Sequence, residues 1–300
     1  MKIDVVTSWE AVAALEEEWD TLLERTACNR CFSSFAWFHA GAGAATPLVV
    51  TARRDGKLAG LLPLVIGEAE AHFVSRLADY NDVIGGEGAG ALMQAALDVV
   101  PVLALHELRE ESPLLATGFH DEREPARPVI WTPLANGYDA WLAGRSRAFR
   151  KSLFRAERAA ASRGLVIREL DALDGETFLT LHDARPGPSV FAGEEHRAFV
   201  RRAVPPLIAQ RRMRAFGLLD GERVAAIDLC AAGAGTLCTW NTGFLPEYGN
   251  VSPGSLLLAF EIRTACAEDL AEFDLGRGDE PYKLSWASER RELRRVRVRR

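Results

Sequence analysis

The positions of hydrophobic and polar residues along the chain predict short strands and amphipathic helices in a mixed order. Residues 2–6 alternate like a strand, and Thr7 and Glu10 then have the spacing of a helix capping box. The helix that follows carries these apolar residues on one face: Trp9, Val12, Leu15, Trp19, Leu22 and Leu23. Asp-Gly pairs at Asp55 and Asp220 predict tight hairpins, because both central residues of such turns adopt positive φ.

Both halves of the chain show the same order of predicted elements. In the first half we predict strands over 2–6, 47–53, 57–66, 72–77 and 102–108, and helices over 9–23, 32–39 and 89–100. In the second half, after a basic helix, we predict strands over 165–170, 214–219, 224–231, 236–242 and 272–275, and helices over 175–184, 194–210 and 254–266. An irregular connection over 110–133 precedes the boundary. The fold class is therefore α/β (α+β), with two tandem units over 1–135 and 136–300 and mixed, mostly antiparallel sheets flanked by helices.

Composition and charge narrow the classes of protein to which the chain can belong. The 300 residues are 48% hydrophobic and carry a net charge of -6, and charged residues interrupt every apolar run before about 18 residues. No basic and apolar leader precedes the first strand, so we predict a cytoplasmic protein without a transmembrane segment. The net negative charge argues against nucleic acid as a general partner.

The five cysteines predict reduced thiols, because they are sparse and mostly surrounded by apolar residues. Cys28 and Cys31 form a C-x-x-C pair, but a structural zinc site needs four ligands and no further pair completes this one. We therefore expect no metal.

Positive charge is concentrated in two segments of this acidic chain. Residues 145–163 carry seven cations and one acid, and residues 290–300 carry seven arginines and one acid. The apolar residues of the first segment fall on one helical face: Phe149, Leu153, Ala156 and Ala160. Its cations are therefore either the solvated side of an amphipathic helix or a surface for donor phosphates, a lipid phosphate or tRNA. The C-terminal arginines predict a final strand whose charges protect a sheet edge.

A loop with glycines at both ends leads from the strand at 236–242 into the apolar helix at 254–266. Helix N-termini present N–H groups and a partial positive charge, so this turn favours phosphate binding. Ser252 has the position of an N-cap and Pro253 that of the first helical residue. A capped helix that binds no ligand is the other interpretation.

The next strand ends in a concentration of functional groups. It continues into Gly276, Arg277, Gly278, Asp279, Glu280, Pro281, Tyr282 and Lys283. Ligands of open α/β sheets lie at strand ends. A hydrophilic turn whose charges pair with one another is the alternative, but two such turns on neighbouring elements favour a site.

These segments resemble the GNAT superfamily, in the branch of BioF2-like and CelD-like acetyltransferases related to the FemAB peptidyltransferases. The resemblance rests on Trp19, Phe32, Trp37, Pro63, Leu64, 79–82, 150–158, Leu181, His182 and 248–283. Residues 278–283 are its most specific part. It implies two tandem GNAT-like units and acyl transfer from acyl-CoA, with no metal, to an amine or hydroxyl of a small molecule, sugar, peptide or envelope precursor.

The resemblance also implies where the donor binds. GNAT enzymes usually hold the donor pyrophosphate on backbone amides at the start of this helix, which places it at Ser252, Gly254, Ser255 and Leu256. Pro253 has no N–H to donate, so its role in the loop is structural. The chain departs from the common GNAT pattern there, because it lacks a clear R-x-x-G-x-G/A motif at the helix entry.

Acyl transfer to an amine requires a proton acceptor, donors for the oxyanion and an acid for the leaving thiolate. Asp279 or Glu280 is the predicted base or acceptor-orienting carboxylate, since a neighbouring like charge raises the pKa of a carboxyl. Tyr282 is the predicted acid or orienting hydroxyl. Lys283 and Arg277 are predicted to bind substrate.

Three further residues are candidate substrate contacts, each with a structural alternative: His182, Asp79 and Asp82. A single histidine on a helix is more often structural than functional. The two aspartates either help to form an acceptor cleft in the first unit or cap a turn with their side chains.

The predicted function is therefore an acyl-CoA-dependent N- or O-acyltransferase in the metabolism of envelope or polysaccharide precursors. An aminoacyl transferase that uses aminoacyl-tRNA is a second candidate, and the basic helix is its support. A GNAT-like module that binds a ligand without turnover is a third.

Overall fold

The chain folds into two units, Met1–Val129 with Arg291–Arg300 and Ile130–Arg290. The structure is a computed structural model that describes residues 1–27, 31–74, 77–119 and 121–300. Cys28 of the predicted C-x-x-C pair lies outside the described residues, and Cys31 is buried.

The described residues form strands and helices in alternating groups. The strands are β1 (Lys2–Val6), β2 (Thr46–Arg54), β3 (Lys57–Ile66), β4 (Ala71–Phe73), β5 (Val102–Arg109), β6 (Glu122–Pro125), β7 (Val129–Pro133), β8 (Val166–Leu170), β9 (Met213–Asp220), β10 (Arg223–Gly233), β11 (Thr236–Phe244), β12 (Glu272–Arg277), β13 (Glu289–Arg291) and β14 (Leu293–Arg299). The helices are α1 (Trp9–Ala13), α2 (Glu16–Glu24), α3 (Phe35–Ala42), α4 (Ala89–Val99), α5 (Gly137–Ala143), α6 (Arg147–Ser162), α7 (Gly175–Ala184), α8 (Glu194–Ala209), α9 (Pro253–Ala267) and α10 (Lys283–Trp286). Short 3-10 helices cover Leu115–Thr117 and Pro246–Val251.

Both units contain the same core arrangement of strands. The first sheet has the order β1-β2-β3-β4-β5-β14-β6, and the second, read from the β8 edge, β8-β9-β10-β11-β12-β7-β13. In each sheet four antiparallel strands are followed by a fifth that runs parallel to the fourth: β5 beside β4, and β12 beside β11. A helix connects each parallel pair, α4 or α9, because parallel neighbours need a crossover. The predicted fold class is confirmed.

Each unit has its own hydrophobic core between the sheet and the crossover helix. In the first unit, Leu92 and Met93 of α4 belong to a cluster with Leu62 of β3. In the second, α9 buries residues on most of its circumference, and Leu257 and Ile262 pack with strand residues such as Phe273. Burial of one such side chain contributes about 2 kcal/mol, so each helix is held by packing more than by its propensity.

The two predicted Asp-Gly hairpins are present, whereas other details in the first unit differ from prediction. Asp55 and Gly56 both adopt positive φ, 51° and 78°, between β2 and β3. The predicted first helix is interrupted after Ala13, and its N-cap is Ser8, which accepts a hydrogen bond from the Ala11 N–H at 3.3 Å, instead of Thr7. The predicted strand over 72–77 is the shorter β4.

The region predicted as an irregular connection, 110–133, contains β6 and β7. The pattern of apolar residues did not predict β6, because this strand is short and fully exposed and lacks the alternation of a half-buried strand. The C-terminal strand β14 lies between β5 and β6 in the first sheet, so the prediction that its arginines protect an edge is wrong.

The arginines of β14 pair with carboxylates of the first unit. Arg294 pairs with Glu110, Arg297 with Glu70, and Arg299 with Glu122. The observed second unit therefore ends at Arg290, earlier than the predicted range of 136–300, because the last strand completes the first sheet.

Candidate functional site

The parallel strands β11 and β12 pair over only part of their length. Thr236, Leu237 and Cys238 of β11 face three residues of β12, and no further pairs are found between these strands. Beyond Cys238, β11 continues to Phe244 and pairs there with β10. The carboxyl ends of parallel strands are where α/β sheets receive ligands.

The loop after β11 leads into the N-terminus of α9. Ser252 occupies the N-cap position in a left-handed conformation with φ 55°, and its side chain makes no capping hydrogen bond. The N–H groups of Ser255 and Leu256 both donate to the Ser252 carbonyl, at 3.0 and 3.2 Å. Ser252 thus shapes the turn through its backbone, and the predicted cap by its hydroxyl is wrong.

Gly254 is the open position in this first turn. A Cβ atom added to it would meet no heavy atom within 4 Å. Among the described residues, no hydrogen-bond partner is found for the Gly254 N–H. An unpaired N–H at a helix N-terminus, on a residue with open space beside its Cα, is suited to an anionic group.

Gly243 explains how α7 reaches the end of β11. A Cβ atom at this position would lie 2.5 Å from the His182 backbone nitrogen, closer than non-bonded atoms approach. Only glycine therefore allows the helix backbone to pack directly on the strand at this point.

His182 is buried in α7, with only 1% of its surface exposed. Its Nε2 lies 2.9 Å from an Arg185 guanidinium nitrogen, and its Nδ1 lies 3.2 Å from the Ser189 hydroxyl. Burial, followed by the charge of Arg185, lowers the pKa of His182 to about 4, so the ring is neutral at pH 7. Both ring nitrogens are engaged within the unit, and the predicted contact with substrate stays a prediction.

The turn after β12 is held together from within. The Asp274 carboxylate accepts a hydrogen bond from the Gly276 N–H at 2.7 Å. Lys283 is only 5% exposed, and its Nζ donates to the carbonyls of Arg277 at 2.6 Å and Gly276 at 3.3 Å. The lysine therefore braces the turn, an arrangement that the density of charged residues alone does not predict.

The two predicted bases already have cationic partners. Asp279 lies 3.2 Å from an Arg290 nitrogen, with half of each side chain exposed. Glu280 lies 3.1 Å from the Lys283 Nζ. Their role as proton acceptors stays a prediction.

Tyr282 stands at the surface of the unit, 55% exposed. Local burial of its phenol, followed by the negative charges of Asp228 and Glu280, raises the pKa of Tyr282 to about 12. The phenol is therefore protonated at neutral pH, as an acid or a hydrogen-bond donor must be.

Three buried groups that the sequence did not predict lie in the middle of the second unit. Asp228 of β10, Cys230 of β10 and Glu261 of α9 are each at most 1% exposed, and their functional atoms lie within 4.8 Å of one another. Asp228 faces Thr242 of β11 across the sheet. No hydrogen-bond partner is found among the described residues for Asp228 Oδ1 or for either carboxylate oxygen of Glu261.

Burial determines the protonation of this cluster. Burial raises the pKa of Asp228 to about 7, although the hydrogen bond from Thr242 lowers it. Burial also raises the pKa of Glu261 well above the ordinary range. The pKa of the Cys230 thiol is raised by the same cause. In the absence of a bound ion, burial therefore favours the protonated forms of all three groups.

The sequence contains a cue to these residues. Asp228 is the single charged residue in the run 224–231, and Glu261 lies in the apolar helix over 254–266. Charged residues are rarely buried without a reason, so an isolated acid in an apolar run marks a candidate site.

Asp79 and Asp82 lie in the first unit, in the segment after β4. Asp79 is 7% exposed, and Asp82 lines a cavity within that unit.

Comparison with known families identifies the larger part of the second unit. Residues 147–284 match the family model described as acetyltransferase (GNAT) domain. This part of the chain is similar to GNAT-type acetyltransferases, and residues 147–284 are here called the GNAT domain. The match begins with α6 and ends within α10, so the GNAT domain includes the α9 N-terminus, the buried acids and Tyr282. No curated protein sequence matches the chain.

Solved structures share the fold of the whole chain. The structure of FemX is 12% identical, with a TM-score of 0.67 over 98% of this chain and 97% of that one. The C-terminal domain of a putative lysylphosphatidylglycerol synthetase from Agrobacterium fabrum is 11% identical, with a TM-score of 0.65 over 95% and 92%. A tandem GNAT protein from the clavulanic acid biosynthesis pathway is 15% identical, with a TM-score of 0.51 over 99% and 98%.

These similarities confirm the predicted tandem GNAT-like fold and are consistent with the predicted relation to a FemAB-related GNAT branch. At such low identities they concern the fold and not the substrate. Among the described residues, no helix is both long and apolar enough to cross a membrane.

Proposed function

We propose that this acyltransferase moves an acyl group, in the first instance acetyl, from acyl-CoA to an amine or hydroxyl of a small molecule, sugar or envelope precursor in the cytoplasm. The observation that carries the proposal is the pairing of an open helix N-terminus with a buried acid and a protonated tyrosine inside one GNAT domain.

The donor pyrophosphate is assigned to the N-terminus of α9. Gly254 supplies an N–H for which no partner is found among the described residues, and the position of an added Cβ beside it is open. The N–H groups of Ser255 and Leu256 already donate to the Ser252 carbonyl, so they contribute by sharing those hydrogen bonds and through the helix dipole. We therefore assign the main backbone contact to Gly254.

The chemical step is assigned to Asp228 and Tyr282. The acceptor nitrogen attacks the thioester carbonyl carbon, a C–N bond forms and the C–S bond breaks. The proton released by the nitrogen passes to the Asp228 carboxylate, the Tyr282 hydroxyl protonates the departing thiolate, and the proton then returns from Asp228 to Tyr282. A base with a pKa near 7 is close to the optimum at neutral pH, which favours Asp228 over the ion-paired Asp279 and Glu280.

Thiol release from acetyl-CoA tests this assignment across a panel of amino sugars, polyamines and peptides. We expect Asp228→Asn to lower kcat about 100-fold and Tyr282→Phe to lower it by more than about tenfold, the usual range for a general base or acid. Tyr138→Phe is the matched control, since Tyr138 lies in the same unit and its hydroxyl accepts a hydrogen bond from Arg263. Unchanged turnover in either test variant rejects that role, and absence of acetyl-CoA binding by calorimetry rejects the donor.

An aminoacyl-tRNA donor is the second candidate, and the surface of α6 favours it. Leu153, Ala156 and Ala160 are buried, which confirms the predicted apolar face. Lys151 and Arg155 are exposed on the other side, with Phe154 between them 45% exposed. Cations interleaved with an aromatic ring suit a nucleic-acid backbone and its bases. Transfer from aminoacyl-tRNA without release of thiol from acetyl-CoA would establish this alternative, and donor binding without any transfer would indicate a binding module.

A further inference from the structure

The first unit contains a cavity of about 190 Å³ that the proposed acyl transfer does not use. The segment that follows β4 and the end of β5 supply much of its wall, including Tyr80, Asn81, Asp82, Arg109 and Glu111. All of these residues belong to the first unit. An average water occupies about 30 Å³ of the liquid, so the cavity has room for a ligand of several heavy atoms.

Asp82 provides a partly buried carboxylate in this wall. Its Oδ1 accepts hydrogen bonds from the Ser112 hydroxyl at 2.7 Å and from the Val83 N–H at 2.8 Å. Among the described residues, no hydrogen-bond partner is found for its Oδ2. Burial raises the pKa of Asp82 to about 6, despite both hydrogen bonds. A carboxylate held in this way gains most from a cationic partner.

Arg109 provides the opposite charge in the same wall. Its guanidinium lies 4.3 Å from the centre of the Tyr80 ring, which holds it in place from one side. Its only ion pair among the described residues is a loose one, with Glu111 at 3.8 Å, and the Glu111 side chain is 67% exposed. A ligand carboxylate can therefore replace or join Glu111 at little cost, because exposed ion pairs contribute 0 to about 1 kcal/mol.

The two charges also lie within electrostatic range of each other, since Arg109 lowers the pKa of Asp82 against the effect of burial. A ligand with one charge would satisfy one of these groups and leave the other without compensation in a partly buried site. A ligand with an ammonium and a carboxylate a few ångströms apart would satisfy both.

We propose that the first unit binds an α-amino acid or a similar small zwitterion in this cavity, with its ammonium on Asp82 and its carboxylate on Arg109. The Tyr80 ring and the apolar Val83 and Pro113 are available to the side chain of the ligand. The site is distinct from the donor site of the GNAT domain, and binding does not depend on acyl transfer.

Calorimetric titration of the full chain with the twenty standard amino acids tests the proposal. Two probes with one charge each serve as comparisons: ethanolamine has an ammonium alone and propionate a carboxylate alone. We expect at least one amino acid to bind about tenfold more tightly than either probe. Absence of amino-acid binding, or equal binding of ethanolamine, overturns the proposal.

Variants locate the site. Asp82→Asn keeps the shape of the side chain and the hydrogen bonds from Ser112 and Val83, and we expect it to raise the Kd for the amino acid about tenfold. Arg109→Gln should raise the Kd for the amino acid by a similar factor and leave the weak binding of ethanolamine unchanged. Asp55→Asn is the matched control, because Asp55 is a turn residue of the same unit that does not line the cavity and Asn tolerates its positive φ. Binding that survives both cavity variants overturns the assignment.

Discussion

The N-termini of α4 and α9 occupy the same place in the topology of the two units, yet the surroundings of their second residues differ. Each helix connects the fourth strand of its sheet to a parallel fifth strand. At the second position of α4, a Cβ atom added to Gly90 would meet side-chain atoms of Phe119 and Thr117 at 3.7 and 3.9 Å. At the second position of α9, Gly254 faces open space.

The residue before each helix repeats the contrast. The N-cap of α4 is Gly88, and a Cβ atom there would lie 2.5 Å from the end of the Met1 side chain. The N-cap of α9 is Ser252, whose backbone is left-handed and whose side chain makes no capping hydrogen bond. A repeated topology therefore does not imply a repeated site, because access to a helix N-terminus depends on side chains that come from elsewhere in the chain.

The buried acids differ between the units as well. The second sheet has Asp228 in the middle of β10, whereas its counterpart in the first sheet, β3, has no acid among its ten residues. The first unit also buries acids, Asp79 and Glu107, and its partly buried Asp82 lies in a loop that lines a cavity. The two units therefore differ in the strand that holds a buried acid, which is β10 in the second sheet and β5 in the first.

The largest effect that we predict concerns the pH dependence of stability. A carboxyl whose pKa is raised by folding stabilises the protein below its unfolded value of about 3.8, and this contribution is lost as the pH rises through the folded value of about 7 for Asp228. Over this window the free energy of unfolding should fall by up to about 1.4 kcal/mol per pH unit from this group. Urea unfolding between pH 5 and 8 measures the slope.

Asp228→Asn should make that slope shallower, because Asn has no proton to lose. Asp82→Asn, the counterpart in the first unit, should have a smaller effect that is complete at lower pH, since the pKa of Asp82 is raised only to about 6. Equal slopes in the parent and Asp228→Asn would show that Asp228 is not the proton-holding acid of the second unit.

The next effect is on donor binding and compares the two helix N-termini directly. Gly254→Ala adds a methyl group that points toward the helix N-terminus, so we expect the Kd for acetyl-CoA to rise about tenfold. Stability should be unchanged or higher by up to about 1 kcal/mol, because Ala is the better helix former. Gly90→Ala, the equivalent change in α4, should leave the Kd unchanged. If Gly90→Ala raised the Kd for acetyl-CoA more than Gly254→Ala does, the assignment of the donor site to the second unit would be wrong.

The smallest effect concerns the predicted base at the surface. Asp279→Asn removes an ion pair with Arg290 in which half of each side chain is exposed, so the free energy of unfolding should change by less than about 1 kcal/mol. If Asp228 is the base, turnover in the thiol-release assay should stay within about twofold. A loss near 100-fold would return the role of base to Asp279.

Much of the fold followed from local patterns. The hairpin at Asp55 and Gly56, the helix over 175–184 and the order of strands in both halves depend on turn chemistry and periodicity, which act over a few residues. The position of β14 did not follow, since nothing local shows that a C-terminal strand lies between β5 and β6 in the first sheet.

The candidate site divides in the same way. The helix start at Gly254 and the turn with Tyr282 were predicted, because glycine, proline and clustered polar residues can be recognised from the local sequence. The burial of Lys283 under its own turn and the pairing of Asp279 with Arg290 depend on contacts that sequence spacing does not give.

By itself, the sequence determined the two similar units, the glycine positions and the segment where the GNAT domain concentrates its polar groups. Only the tertiary structure decided how the surroundings of two equivalent helix N-termini differ and which acids are buried together. The reason is physical: periodicity and turn geometry are local properties of the chain, whereas access and proton affinity depend on which distant side chains fill the space around a group and exclude water from it.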